Sequence, residues 1–267
     1  MDNFLRMTRI FLSMAIFLTT IFVQSIYCFS ADNATLLKLK EELALANRIL
    51  DYEGLARPLG HISVRIPGTD RFLIAGSTAP GLTTVDDIVV CDMSGKVIEG
   101  KYNRTYGEVW AHIGIYKKHK DVNCVTHIHP PYVIALSITG TPILPVSLTG
   151  LGLGPDPIAI WKTVAFIHTL EYGEEVADLL GPNKAVTLKG HGAVVVGNSI
   201  VDTTERSVLM EKVARYQLMA MSAGNVIPLT EEGKRPYKEF TKMMDSRPRG
   251  GGSERFWSLY EHLLREK

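Results

Sequence analysis

The run Val125-Thr126-His127-Ile128-His129-Pro130 constrains this chain more than any other stretch. It is of β type, and Pro130-Pro131 ends it abruptly because proline cannot donate to a sheet ladder. Successive side chains of a strand point to opposite faces, so His127 and His129 share a face and can aim both imidazoles at one point. That is a chelating geometry, since neutral imidazole is a common ligand for zinc and its neighbours and two of them need only one or two further ligands. Taken alone, the pair is more often the pattern of two half-buried strand histidines, and the metal reading depends on supporting groups elsewhere.

The supporting groups must come from one α/β domain of ordinary composition, 21% charged and 46% hydrophobic over 267 residues. A formal net charge of +1, with no Lys/Arg run and no aromatic-basic interleaving, gives no basis for nucleic-acid binding. Residues 1–30 differ in kind from the rest. Arg6 and Arg9 precede the apolar run Ile10 to Val23, and a more polar stretch to Ala31 follows, as in a secretory signal with small residues Cys28 and Ser30 before the cut. The alternative is an uncleaved membrane anchor, for which ~14 apolar residues are short of the ~20 a span needs. The expectation is therefore an exported protein whose domain is 31–267, touching a membrane only if the first segment stays attached. Cleavage leaves Cys91 and Cys124 in apolar strand-like runs, where buried thiols are expected rather than a disulfide. Cys124 points away from the face of His127, which argues against it as a ligand.

Along the chain, 33–53 reads as an amphipathic helix, 61–66 with 71–74 as a hairpin around Pro67-Gly68-Thr69-Asp70, and 75–84 as a Gly/Ser/Thr/Pro loop of the kind that carries ligand contacts. A second hairpin (88–92 with 96–98) leads to a helix over 106–119, on which Glu108 and His112 are four apart and share a face. After the histidine strand come a short helix to Ser137, a Gly/Pro-rich stretch to Pro157, an indistinct region to Tyr172 and a helix over 174–180. Short strands 185–188 and 193–196 then flank Lys189-Gly190-His191-Gly192, where glycines on both sides allow the backbone to aim a histidine. Three helices (201–223, 230–244, 254–265) finish the chain, with no internal repeat. His119, His168 and His262 read as surface or packing residues, whereas His127, His129 and His191 sit at strand ends or tight connections, where side chains converge.

The succession Gly60-His61-Ile62-Ser63-Val64-Arg65, Glu108 with His112, His127-Ile128-His129 and Gly190-His191-Gly192 resembles the class II aldolase/adducin family over nearly all of 31–267. The resemblance implies a three-layer α/β/α fold around a largely antiparallel sheet and a homotetramer with sites at subunit interfaces. It implies His127, His129 and His191 as metal ligands and Glu108 as the catalytic carboxylate. Three neutral imidazoles leave a divalent ion, zinc first with Mn, Fe, Co or Mg as alternatives, its charge and open positions for a substrate carbonyl and hydroxyl. Glu108 then carries the proton or fills the fourth ligand position, and His61 and His112 stand behind the ligands.

Sugar-phosphate aldolases of the family usually have asparagine at the position of His61 and two serines at those of Tyr106 and Gly107, so this chain is closer to the decarboxylase-type branch. Arg65, Arg104, Lys189, Ser77 and Thr78 are the candidates to bind the small-molecule substrate, the cations through a carboxylate. The expected function is a metal-dependent lyase that cleaves a carbon–carbon bond of a small hydroxy- or oxo-acid, or a sugar-derived substrate, through a metal-stabilised enediolate. The alternatives are an epimerase or a non-haem iron oxygenase on the same scaffold, and a non-catalytic adducin-like assembly module.

Overall fold

The computed structural model describes residues 33–245 and 252–265. By contact the chain divides into Met1–Leu39 and Lys40–Lys267. Of the first unit only 33–39 are described, as the opening turns of helix α1 (33–52). The expected signal segment 1–30 lies outside the described residues. Among those described, no helix is long and apolar enough to cross a membrane.

The second unit is built on an eight-stranded sheet with the order β4-β3-β2-β1-β5-β8-β7-β6. Two hairpins form one half, β1 (His61–Arg65) with β2 (Arg71–Ala75) and β3 (Ile88–Asp92) with β4 (Val97–Glu99). The second hairpin turns where Asp92 Oδ1 accepts from Ser94 N, Ser94 Oγ and Lys96 N, an aspartate replacing backbone partners in a tight turn. The other half is β5 (Cys124–Ile128), β8 (Gly192–Gly197), β7 (Ala185–Leu188) and the two-residue β6 (Ile160–Trp161). Every neighbouring pair is antiparallel except β6 with β7. The register sets His61 opposite His127 and His127 opposite Val194, so histidines of two adjacent strands meet at one end of the sheet.

Alternation along the central strands sorts the two layers. Val125, Val194 and Val196 pack with Phe72 and Ile74 against α2 (Val109–Lys118) and α4 (Leu170–Asp178), in a cluster that includes Ile113, Tyr116 and Val176. On the opposite face Thr126 bonds Ser207 of α5 (Ile200–Ala223), and α3 (Pro131–Ile138) also packs there, against β7 and β8. This is the expected three-layer α/β/α arrangement. α5 is anchored at its start by Ser199, whose hydroxyl accepts from Asp202 N, and its buried Gln217 accepts from Leu144 N and donates to Pro142 O. That side chain fixes the Gly/Pro-rich stretch in which no periodicity is legible. Helices α6 (Glu231–Asp245) and α7 (Gly252–Arg265) complete the chain, with Tyr260 of α7 donating to Glu53.

Two helix starts differ from the sequence reading by three residues or more, and one strand, β6, was not expected. α2 begins at Val109, three residues later than expected, because the Tyr106 hydroxyl is tied to Thr78 O and holds that residue out of the helix. α4 begins at Leu170, since the Thr169 side chain accepts from Tyr172 N and caps it four residues upstream of the expected start. β6 has too few residues to show a period. Cys91 and Cys124 are buried and unpaired, as expected, and burial pushes both thiols up to about 12.

Candidate metal centre

His127 is the last but one residue of β5 and fully buried. Its Nδ1 lies 3.2 Å from Ala193 O across the ladder, and a carbonyl can only accept, so Nδ1 carries the hydrogen and Nε2 presents its lone pair. His129 lies just beyond the strand. Its N–H donates to Leu55 O at 2.7 Å, and its Nε2 stands 3.1 Å from that of His127. His191 occupies the β7–β8 turn, where Gly190 takes a φ of 65°. Gly192 passes so close to β5 that an added Cβ would lie 2.1 Å from Ile128 O. The turn thus brings His191 against the other two rings, with centroids 4.9 Å from His127 and 5.4 Å from His129.

Glu108 closes the group. Contrary to the sequence reading it is not on the helix with His112 but immediately before it, and its carboxylate does not cap the helix. Oε1 instead accepts from Ile167 N at 2.9 Å, which leaves Oε2 3.3 Å from His127 Nε2 and 3.5 Å from His191 Nε2. One ligand atom from each of Glu108, His127, His129 and His191 lies within 4.8 Å of all the others. Tetrahedral ligand atoms about 2.1 Å from a shared centre lie about 3.4 Å apart, which is the spacing of the closest contacts here.

The donor chemistry fits a cation as well as the spacing does. His191 Nε2 is buried without a hydrogen-bond partner, and the His127 lone pair faces the Glu108 carboxylate and a third imidazole. A proton on one ring satisfies one of these contacts; a divalent ion satisfies all of them. Burial raises the Glu108 carboxyl, but His127, His191 and the Ile167 N–H outweigh it and hold the group well below the usual carboxylate range. Burial, followed by the charges of His127 and His191, pushes His129 down to about 3, so its ring is neutral at neutral pH. Neutral imidazoles beside an ionised carboxylate are the state in which these groups bind a metal.

Behind the four candidate ligands runs a buried chain. His61 Nδ1 meets His112 Nε2 at 2.7 Å, His112 Nδ1 meets Ser63 Oγ at 2.6 Å, and Ser63 Oγ meets the Tyr116 hydroxyl at 2.7 Å. The His61 ring also stacks on Tyr106, with centroids 4.4 Å apart. Burial is the main reason that His61 sits well below its ordinary value and His112 is down at about 3. His61 and His112 thus lie together behind His127. Ser63 and Tyr116 went unnoticed, although Ser63 shares a strand face with His61 and Tyr116 follows His112 by one helical turn.

Of the expected substrate contacts, Arg65 is elsewhere. Four residues along β1 from His61, roughly 13 Å at strand rise, its guanidinium donates to Val122 O, Tyr116 O and His119 O and so clamps the far end of α2. Its Nε and Nη2 are thus engaged by carbonyls, as in a structural clamp. Arg104, Lys189 and Ser77 are exposed, while Thr78 is half-buried and its carbonyl holds the Tyr106 hydroxyl at 2.6 Å. Two contributors come from the region without a legible pattern. The Ile167 N–H fixes Glu108, and the phenyl ring of Phe166, 69% exposed, lies edge-on to His191 at 5.9 Å. No side-chain signal announces a backbone donor.

Residues 41–218 match the family model described as the class II aldolase and adducin N-terminal domain. The chain is 29% identical to a 3,4-dihydroxyphthalate decarboxylase of Arthrobacter keyseri over 201 residues, 70% of this chain and 81% of that one. It is 28% identical to human gamma-adducin over 239 residues, 84% of this chain but 34% of that one. Among solved structures it resembles an L-fuculose 1-phosphate aldolase from Glaciozyma antarctica, with a TM-score of 0.73 at 27% identity, covering 88% of this chain and 93% of that one.

Proposed function

The chain belongs to the class II aldolase and adducin family, and on that footing we propose that it is a divalent-metal-dependent lyase that breaks a carbon–carbon bond of a small hydroxy- or oxo-acid, by decarboxylation or retro-aldol cleavage. The observation that carries the reading is the convergence of the ligand atoms of His127, His129, His191 and Glu108, with His191 Nε2 otherwise unpartnered. An ion held there, zinc in the first instance, supplies Lewis acidity next to the bond that breaks.

The remaining chemistry falls to the protein. In either reaction the electron pair of the broken bond is left on one carbon, which must then receive a proton. In the retro-aldol case a hydroxyl must first lose one. Glu108 is the ionised group at the centre, aimed by the Ile167 N–H on Oε1 so that Oε2 faces the His127 and His191 nitrogens, where it can take and return that proton. Arg104 and Lys189 are exposed cations suited to a substrate carboxylate, and Ser77 and Thr78 lie on the loop tied to Tyr106. The Tyr106 hydroxyl is spent on Thr78 O and leaves no donor where sugar-phosphate aldolases usually present serines. This favours an unphosphorylated acid, as does the similarity to a dihydroxyphthalate decarboxylase.

The test is metal analysis of the purified full chain, followed by assays of carbon dioxide and aldehyde release across a panel of hydroxy- and oxo-acids. Glu108→Gln should retain the metal and lose turnover. A protein that holds no divalent metal, or a His191→Ala variant that holds as much as wild type, would falsify the reading. The similarity to gamma-adducin supports a second reading, an assembly module without catalysis, which predicts no turnover with any panel member. The oligomer we infer is a homotetramer with sites between subunits, supported by the exposure of the Phe166 ring beside His191 and checked by light scattering. Export after cleavage at the end of 1–30 is checked by amino-terminal sequencing.

A further inference from the structure

Two of the three imidazoles, those of His129 and His191, lie outside the strands, so the sheet ladder alone does not set the distance between them. Helix α3 spans that gap. It begins two residues after His129, and its first turn is held by a side chain from another helix. The Glu211 carboxylate of α5 accepts from Tyr132 N through both oxygens, at 3.0 and 3.1 Å, and from Val133 N at 3.2 Å. Near its other end Ser137, fully buried, donates its hydroxyl to Ile134 O at 2.7 Å and accepts from Gly190 N at 2.9 Å. Gly190 immediately precedes His191. One helix is thereby tied at its start to the chain leaving His129 and near its end to the chain entering His191.

We propose that α3 is a bracket that sets the separation of His129 and His191, with Glu211 and Ser137 as its positioning residues. Neither touches the four ligand side chains; each acts on the backbone that carries one. The Ser137 hydroxyl holds the Gly190 N–H, in a turn whose positive φ favours glycine, so removing it frees the turn to rotate about that residue. Glu211 supplies acceptors for N–H groups that a helix start beginning Pro130-Pro131 leaves without intrahelical partners. Its loss frees the first turn to fray and the His129 ring to drift. The inference rests on the metal-lyase reading, and its test is metal affinity rather than turnover.

The experiment measures zinc affinity of the metal-free full chain by competition with a chromophoric chelator, together with the visible absorption of the cobalt-substituted protein. Ser137→Ala and Glu211→Ala should each weaken zinc binding about tenfold, the lower end of what an outer partner of a ligand contributes, and alter the cobalt spectrum. Glu211→Gln, whose amide oxygen still accepts from the Tyr132 and Val133 N–H groups, should recover most of the affinity. Ser207→Ala removes a buried α5 hydroxyl bonded to Thr126 and Thr203 and should lower thermal stability while leaving zinc affinity within about twofold, because it touches neither tie. Unchanged affinity in both alanine variants overturns the bracket, as does an equal loss in Ser207→Ala, which would mark general loosening. Wild-type protein that takes up no zinc or cobalt overturns the metal reading itself, and the bracket with it.

Discussion

Gly192→Ala tests the closest approach in the site. The added Cβ would lie 2.1 Å from Ile128 O and 3.1 Å from His129 Cδ2, whereas an unstrained carbon–oxygen contact is about 3.3 Å, so the two chains must part by more than about 1 Å. Both neighbours are rigid. The oxygen is backbone, and the strands are registered at Ile128 with Ala193 and at Leu188 with Gly192. Overpacking of this kind costs about 1–3 kcal/mol. The end of the β5–β8 ladder loses a hydrogen bond of about 1 kcal/mol. The smaller entropy of the unfolded alanine chain returns about 0.4–1 kcal/mol, which leaves a net loss of about 1–3.5 kcal/mol. The assay is urea unfolding of metal-free protein, read as a lower midpoint at unchanged slope, paired with zinc titration, in which displacement of His129 and His191 weakens binding by tenfold or more. Gly233→Ala is the control. Its Cβ meets nothing nearer than Thr230 Oγ1 at 3.4 Å, and within helix α6 it should stabilise by about 0.5–1 kcal/mol. A Gly192→Ala protein within about 0.5 kcal/mol of wild type and with wild-type zinc affinity would refute the reasoning, because the strands would then have room for a methyl group between them.

Three further outcomes are expected. Ser63→Ala leaves His112 Nδ1 without its partner and the Tyr116 hydroxyl with only a 3.5 Å contact to Asn123 O, so it should destabilise by about 1–3 kcal/mol in chemical denaturation. Asp87 is raised by burial but lowered further by Lys101, Thr84 and Tyr102, so its folded value lies below the unfolded one of about 3.9. Its contribution is therefore complete above that value and lost as pH falls beneath it, and Asp87→Asn should flatten the loss of melting temperature below about pH 4. Chelation should lower the melting temperature of metal-loaded protein, by about 2.7 kcal/mol of linkage where free metal had stood at a hundred times its dissociation constant; a wild-type curve indifferent to chelator counts against the site.

What the sequence showed of the site was its side chains, and what it hid was their geometry's origin. His127, His129 and His191 are legible because histidines at strand ends and between glycines have few structural uses, and the β1–β2 and β3–β4 hairpins are legible because their turn residues are local. Glu108 was found but placed on the wrong side of a helix start, since the anchor that delays the helix is a tyrosine hydroxyl reaching Thr78, 28 residues away. Arg65 was misassigned for a related reason. An arginine on a strand face carries no sign of whether carboxylates or carbonyls await it, and here three carbonyls do. The stretch from Gly140 to Tyr172 was opaque because its order comes from distant groups, Gln217 holding Pro142 and Leu144, and Asn183 holding Asp156 and Pro157.

The same distinction bears on how this centre can hold a cation among so many imidazoles. His61 lies 5.2 Å, ring to ring, from His127, and His112 lies directly behind it. A protonated ring so close behind a candidate ligand, with little water between to screen it, would repel a cation held there. Burial removes the difficulty before any ion arrives. Both rings are pushed well below their ordinary values chiefly because they are out of water, and their hydrogen bonds are to neutral partners, to each other and, for His112, to Ser63, which the Tyr116 hydroxyl backs in turn. A carboxylate in place of Ser63 would satisfy the same ring nitrogen but favour its protonated form, adding positive charge beside the ligands. The chain thus keeps one negative group, Glu108, at the centre and holds His61, His112 and His129 neutral around it. A divalent ion bound there retains net positive charge and can act on a substrate oxygen.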